Sequence, residues 1–123
     1  KTNIFRLNFT PTRKTRGINM RVINDIIDWA EIRGLLYGRG FNTDIQPEKQ
    51  MLKLVEEVGE TAKALAYGDE DGLKDGIGDC AVCLIVLAEQ SGFTFEECME
   101  AAYKEISGRT GRLEDGLWKK DEG

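Results

Sequence analysis

The sequence predicts an all-α protein, a four-helix bundle that assembles as a dimer or tetramer. Three observations predict it. Four segments carry apolar residues at three- and four-residue steps, and the links between them are short and marked by glycine or proline. The third segment is apolar on nearly every side, more than one chain of this size can cover with its own core.

From Met20 to about Arg33, Val22, Ile23, Ile26, Ile27 and Ala30 mark an amphipathic helix that Gly34, Gly38 and Gly40 end. Pro47 suits a first helical turn, and from there to Tyr67 the stripe Met51, Leu54, Val55, Val58, Ala62, Leu65 and Ala66 predicts a second helix. An acidic turn over residues 68–72 leads into a third, running to about Ser91. Thr94 with Glu97 is a capping-box pattern opening a fourth, through Phe95, Met99, Ala102, Tyr103 and Ile106 to near Gly108. The tail, with glycines at 108, 111 and 116, reads as a turn or short hairpin.

Residues 20–123 form one expected domain, preceded by a basic extension or leader over residues 1–19. That leader holds Lys1, Arg6, Arg13, Lys14 and Arg16 and no acid, a net +5, so the remainder carries −10 against a total of −5. An acidic body repels nucleic-acid phosphates, which argues against a DNA or RNA partner. No apolar run approaches the roughly 18 residues a membrane span needs. Cys80, Cys83 and Cys98 are odd in number with no secretory leader ahead of them, which argues against a disulfide framework and predicts a cytoplasmic setting, in a bacterial cell or phage-infected host. The C-x-x-C spacing of Cys80 and Cys83 lacks a histidine or second pair to complete a zinc site, so packing is the expected role.

Two acidic clusters stand out: Glu56-Glu57-Val58-Gly59-Glu60 on the second helix and Asp75-Gly76-Ile77-Gly78-Asp79 at the start of the third. Residues three or four apart share a helical face, so Glu57 with Glu60, and Asp75 with Asp79, can each share a ligand. The alternatives are ordinary ones. Glu57 and Glu60 lie opposite the apolar stripe, where charges are usually solvated, and Asp75 or Asp79 can cap a helix that starts late. Asp79, however, continues onto the face of Val82, Cys83 and Val86, and a carboxylate buried there needs a partner. With no histidine in the chain, an all-oxygen donor set favours magnesium, with manganese as a substitute. Such ions reverse the local field and admit an anionic substrate.

EEVGE, a linker of 14 residues, then DGIGD and an apolar helix, resembles the all-α MazG-like nucleotide pyrophosphatases over residues 20–118 or so. That family carries an E-x-x-E pair and an E-x-x-D pair on adjacent helices. Glu57 and Glu60 match the first, and Asp79 matches the end of the second. Gly76 stands where the second glutamate is expected, and Asp75 is inferred to take its place. The ending AAYKEISGRTGRLEDGLWKK looks like that of the short phage and bacterial members, although Lys104 stands where asparagine is frequent.

The resemblance implies hydrolysis of a nucleoside triphosphate to the monophosphate and pyrophosphate, with magnesium on Glu57, Glu60, Asp75 and Asp79 and with Glu56 as an outer ligand or orienter of the attacking water. Lys53, Lys104 and Arg109 are candidate phosphate contacts, and Trp29 or Trp118 a stacking surface for the base. Each has an ordinary alternative, solvated charge for the first three and packing for the tryptophans. The competing readings are a non-enzymatic helical interaction module and a hydrolase of nucleoside diphosphates or guanosine alarmones.

Overall fold

A computed structural model describes residues 21–36 and 45–122. The leader 1–19, the domain boundary at Met20 and the predicted helix breakers Gly38 and Gly40 lie outside the described residues. Four helices and a hairpin follow in order: α1 Arg21–Ile32, α2 Pro47–Ala66, α3 Glu70–Gln90, α4 Phe95–Ile106, β1 Gly111–Glu114 and β2 Leu117–Lys120.

The ends of the helices explain the bounds. Gly34, at φ 73°, takes the left-handed conformation that closes α1, with the Leu35 amide reaching back to the Ala30 carbonyl at 3.0 Å. Gly68, at φ 70°, closes α2 in the same way, the Asp69 amide donating to the Ala64 carbonyl at 2.9 Å. Asp69 then caps α3 by accepting from the Gly72 amide at 2.9 Å. This corrects the expected start of α3. Glu70 and Asp71 are its first turn, where acids favour the positive helix end, and neither Asp75 nor Asp79 is a cap. The capping box of α4 forms as predicted, Glu97 N donating to Thr94 Oγ1 at 3.0 Å and Thr94 N to Glu97 Oε2 at 3.3 Å. In the tail, Asp115 and Gly116, at φ 52° and 78°, make the tight turn of an antiparallel hairpin in which Leu113 pairs with Trp118.

The helices are organised about α3. A three-residue link folds α2 back along it, and this is the most extensive packing among the described residues. α1 lies on a second flank, where Ala30, Leu36 and Val86 are buried together with Ile27, Leu35 and Val82 against them. Gln90, itself buried, donates from Nε2 to the Leu35 carbonyl at 2.9 Å and holds the turn after α1 onto the end of α3. α4 touches only the end of α3 among these elements, and none of its residues is buried. No single helix among the described residues is long and apolar enough to cross a membrane.

One expectation is met only in part. On α2, Leu54, Leu65 and Ala66 of the predicted apolar stripe are part-buried, together with Glu57, Thr61 and the buried Ala64, whereas Met51, Val55, Val58 and Ala62 of that stripe are exposed. α3 is likewise not covered all round: Ile77 and Leu84 are exposed. Apolar patterning assigns a side chain to the interior without saying whose interior it is.

Candidate active site

The α2–α3 pair brings the two acidic clusters together. Gly76, buried on α3, allows close approach: a Cβ built there falls 3.2 Å from the Thr61 backbone Cα and against the Thr61 hydroxyl. Thr61 Oγ1 is committed to the Glu57 carbonyl at 2.7 Å and also stands 3.6 Å from Cys80 Sγ. A glutamate at position 76 has no room in this crossing. Asp75, one residue earlier, lines the cavity beside it.

That cavity, of about 360 Å³, is lined by Glu57, Glu60, Asp75 and Asp79, with Lys63, Tyr67 and Asp69 at its edge. Lys53 is held against the cluster, 3.3 Å from Glu57 Oε1 and 3.6 Å from Glu56 Oε1. Those two glutamates raise the Lys53 pKa, the hydrogen bond to Glu57 foremost. The Asp79 carboxyl is pushed above the usual carboxylate range, first by desolvation and then by the charges of Asp75 and Glu57, which Lys53 partly offsets. Mutual repulsion without enough cation is the condition a divalent ion relieves. Among the described residues, no three acids already converge into a ready-made cage.

A second cavity, of about 270 Å³, opens on the other side of the same carboxylates. Glu57 and Asp79 line both, so they form the wall between an acidic space and an apolar one. The apolar side is made by Trp29, Leu35, Val82, Cys83 and Val86, with Gln50 and Lys53 along its α2 edge. The Arg33 guanidinium covers one face of Trp29 at 4.5 Å from the ring centre and donates to the Trp29 carbonyl at 3.2 Å. Burial pushes the Cys83 thiol up, which makes it packing and a poor nucleophile.

A family model, the MazG nucleotide pyrophosphohydrolase domain, matches residues 45–112, more than half of the chain and all of the carboxylate frame. The chain belongs to the MazG nucleotide pyrophosphohydrolase family. It is also 41% identical over 71 residues to an uncharacterised 18.2 kDa protein from the rep-hol intergenic region of Haemophilus phage HP1, strain HP1c1. The match takes in 58% of this chain and 40% of that phage protein, so the chain spans well under two thirds of this relative. No solved structure matches.

Within the MazG frame, Glu57, Glu60, Asp75 and Asp79 face one cavity, and Lys53 and Trp29 line the second beside them. Glu56 lines neither cavity and touches the cluster through Lys53. Lys104 and Arg109 are not at the site in their own chain: Lys104 is in the last turn of α4, and Arg109 beyond it is paired with Glu105 at 2.7 Å. Trp118 is on β2, against Gly111. Sequence reasoning missed Gln50, Lys63, Tyr67 and Asp69. Helical spacing carries a signal for the first three, since Gln50 precedes Glu57 by seven residues while Lys63 and Tyr67 follow Glu60 by three and seven.

Proposed function

We propose that the chain hydrolyses a nucleoside or deoxynucleoside triphosphate to the monophosphate and pyrophosphate, in the cytoplasm of a bacterial or phage-infected cell. The observation that carries this reading is that Glu57 and Asp79 line two cavities of opposite character at once. A nucleotide has the same two ends. Its base and sugar fit the apolar space against Trp29, Val82 and Val86, and its phosphates fit the carboxylate side once the charge there is compensated.

The donor set fits magnesium or manganese: it is all oxygen, contributed from two helices, and repulsive as it stands. Glu57, Glu60, Asp75 and Asp79 would hold the ion. When bound, it supplies charge neutralisation of the phosphates and a water of lowered pKa for in-line attack. The chain's own residues do the rest. Lys53, 3.3 Å from Glu57 Oε1, would pair with a phosphate oxygen of the nucleotide. Trp29 and the α3 wall offer the base an apolar surface, and Glu56 acts through Lys53. Attack of water on the α-phosphorus forms one P–O bond and breaks the α–β anhydride, and the water's protons pass to a site carboxylate and to solvent.

The test is a panel of ribo- and deoxynucleoside triphosphates incubated with the folded protein in magnesium or in EDTA. Release of monophosphate and pyrophosphate in magnesium alone supports the reading and ranks the bases. Release from diphosphates or alarmones only would move the substrate class.

A further inference from the structure

A third cavity, of about 200 Å³, adjoins the apolar one: Leu35 and Gln50 line both, and Gln46, Lys49 and Gln90 line the third alone. Gln90 is the buried polar side chain among the described residues, only 7% exposed. Its Nε2 donates to the Leu35 carbonyl at 2.9 Å, and no donor among the described residues reaches its Oε1. That bond fixes the amide. A backbone carbonyl only accepts, so the NH2 group must face Leu35, and Oε1 cannot exchange places with it. A buried acceptor left unpaired is costly, and a ligand that brings an N–H to it recovers the cost.

We infer that Gln90 Oε1 reads the far edge of the substrate's base, and that the site prefers bases with an amino group beside an unprotonated ring nitrogen, cytosine and adenine, over their keto counterparts uracil, thymine and hypoxanthine. This selection rests on the phosphohydrolase reading and adds to it. On α3, Val86 lines the apolar cavity, and Gln90 follows it by four residues on the same face. On α2, Gln50 precedes Glu57 by seven residues, about 10 Å along the axis. A nucleotide with its phosphates at Glu57 and Asp79 and its base against Trp29, Val82 and Val86 therefore turns the edge of that base toward Gln50 and Gln90.

The chemistry at that edge is asymmetric. The amino group of cytosine or adenine donates to Gln90 Oε1, and the ring nitrogen beside it accepts from the Gln50 amide. Uracil, thymine and hypoxanthine offer a carbonyl oxygen beside an N–H instead. Gln50 can turn its own carbonyl to that N–H, but Gln90 has no donor to give, because Leu35 holds its NH2 group. Two acceptors then face each other out of water, which rejects the keto base. Lys49 by itself would suit an anion in the third cavity, but an acceptor without a donor disfavours one.

Steady-state kcat/KM for CTP against UTP and for ATP against ITP tests this, since each pair exchanges an amino group for an oxygen. The wild type is expected to prefer the amino member of every pair it turns over by about 10- to 100-fold, the scale of a buried partner lost. A smaller preference, or one for the keto member, overturns the proposal. Gln90→Met removes the acceptor and is expected to bring the ratio close to unity. Gln90→Lys keeps a donor for Leu35, offers another to a keto oxygen, and is expected to reverse the preference. Each ratio is taken within one preparation, so a partly misfolded sample does not move it. A wild-type ratio in either variant makes Gln90 a residue that only holds the turn after α1, and overturns the proposal.

If the wild type releases no product from any triphosphate, the phosphohydrolase reading fails by itself. Quenching of Trp29 fluorescence by CMP against UMP and by AMP against IMP, in a Trp118→Phe background, then decides base selection alone. Tighter binding of the amino members, lost in Gln90→Met, supports it; equal affinities or no binding overturn it.

Discussion

Gly76 and Thr61 meet where α2 and α3 cross, so closely that a Cβ at position 76 would fall 3.0 Å from the Thr61 Cβ and 3.2 Å from its Cα. This crossing leaves no room for a longer side chain at position 76, while Asp75 and Asp79 on either side of it line the cavity. Gly76→Ala should destabilise the fold by about 1–3 kcal/mol, since overpacking against backbone outweighs the gain of about 1 kcal/mol that alanine brings to a helix. Urea unfolding measures it, and Thr61→Ala in the same chain should recover part of the loss. A more stable Gly76→Ala would show that the helices can part without cost.

Glu60→Gln, Asp75→Asn and Asp79→Asn should each reduce turnover by more than the roughly 10–100-fold that substitutions outside a metal's own ligands cost, with unchanged far-ultraviolet circular dichroism. Asp75→Asn is the discriminating member. Turnover within a fewfold of wild type would return Asp75 to the surface charges and leave three acids for the site.

Lys53 is paired with Glu57 at 3.3 Å, and on the proposed reading it competes with a metal ion for that carboxylate. Lys53→Gln should therefore tighten manganese binding by about two- to fivefold, the scale of an exposed pair, while raising KM for a triphosphate. Manganese titration by electron paramagnetic resonance and steady-state kinetics read the two effects separately. Weaker manganese binding in the variant would contradict this role.

How much of this is legible in the sequence depends on the range of the interaction. The helices and the capping box of Thr94 and Glu97 are local and can be read from spacing. So can the grouping of Glu57 with Glu60 and of Asp75 with Asp79, because one helical face carries each pair. The start of α3 was misplaced because Gly72 looks like a turn residue, while the Asp69 cap that starts the helix lies three residues earlier. The inward face of α2 is legible only in part: Leu54, Leu65 and Ala66 turn inward as their spacing predicts, but Val55 and Val58 look like core and are exposed. The position of Lys104 and Arg109 depends on the 103° turn between α3 and α4, which no local pattern encodes.

Stability should depend on pH through Glu89. Its carboxyl is raised first by desolvation and then by the charges of Glu97, Glu31 and Glu96. A carboxyl whose folded pKa exceeds its unfolded one binds more protons in the native state, so stability falls as pH rises from the ordinary glutamate value through the raised one. Below that ordinary value the penalty is absent. Glu89→Gln should thus stabilise the protein at neutral pH, by no more than about 1 kcal/mol given solvent screening, and the gain should vanish at acidic pH. Denaturant unfolding of both proteins at several pH values measures this, and a difference that did not change with pH would contradict a raised Glu89 carboxyl in the folded state.

The most direct test of the central claim is phosphorus NMR of the products formed from a nucleoside triphosphate in oxygen-18 water, with magnesium present and then chelated. The account predicts equimolar monophosphate and pyrophosphate, with the label in the monophosphate, and no reaction once the metal is removed. Diphosphate with orthophosphate, or product formation that survives chelation, would contradict it.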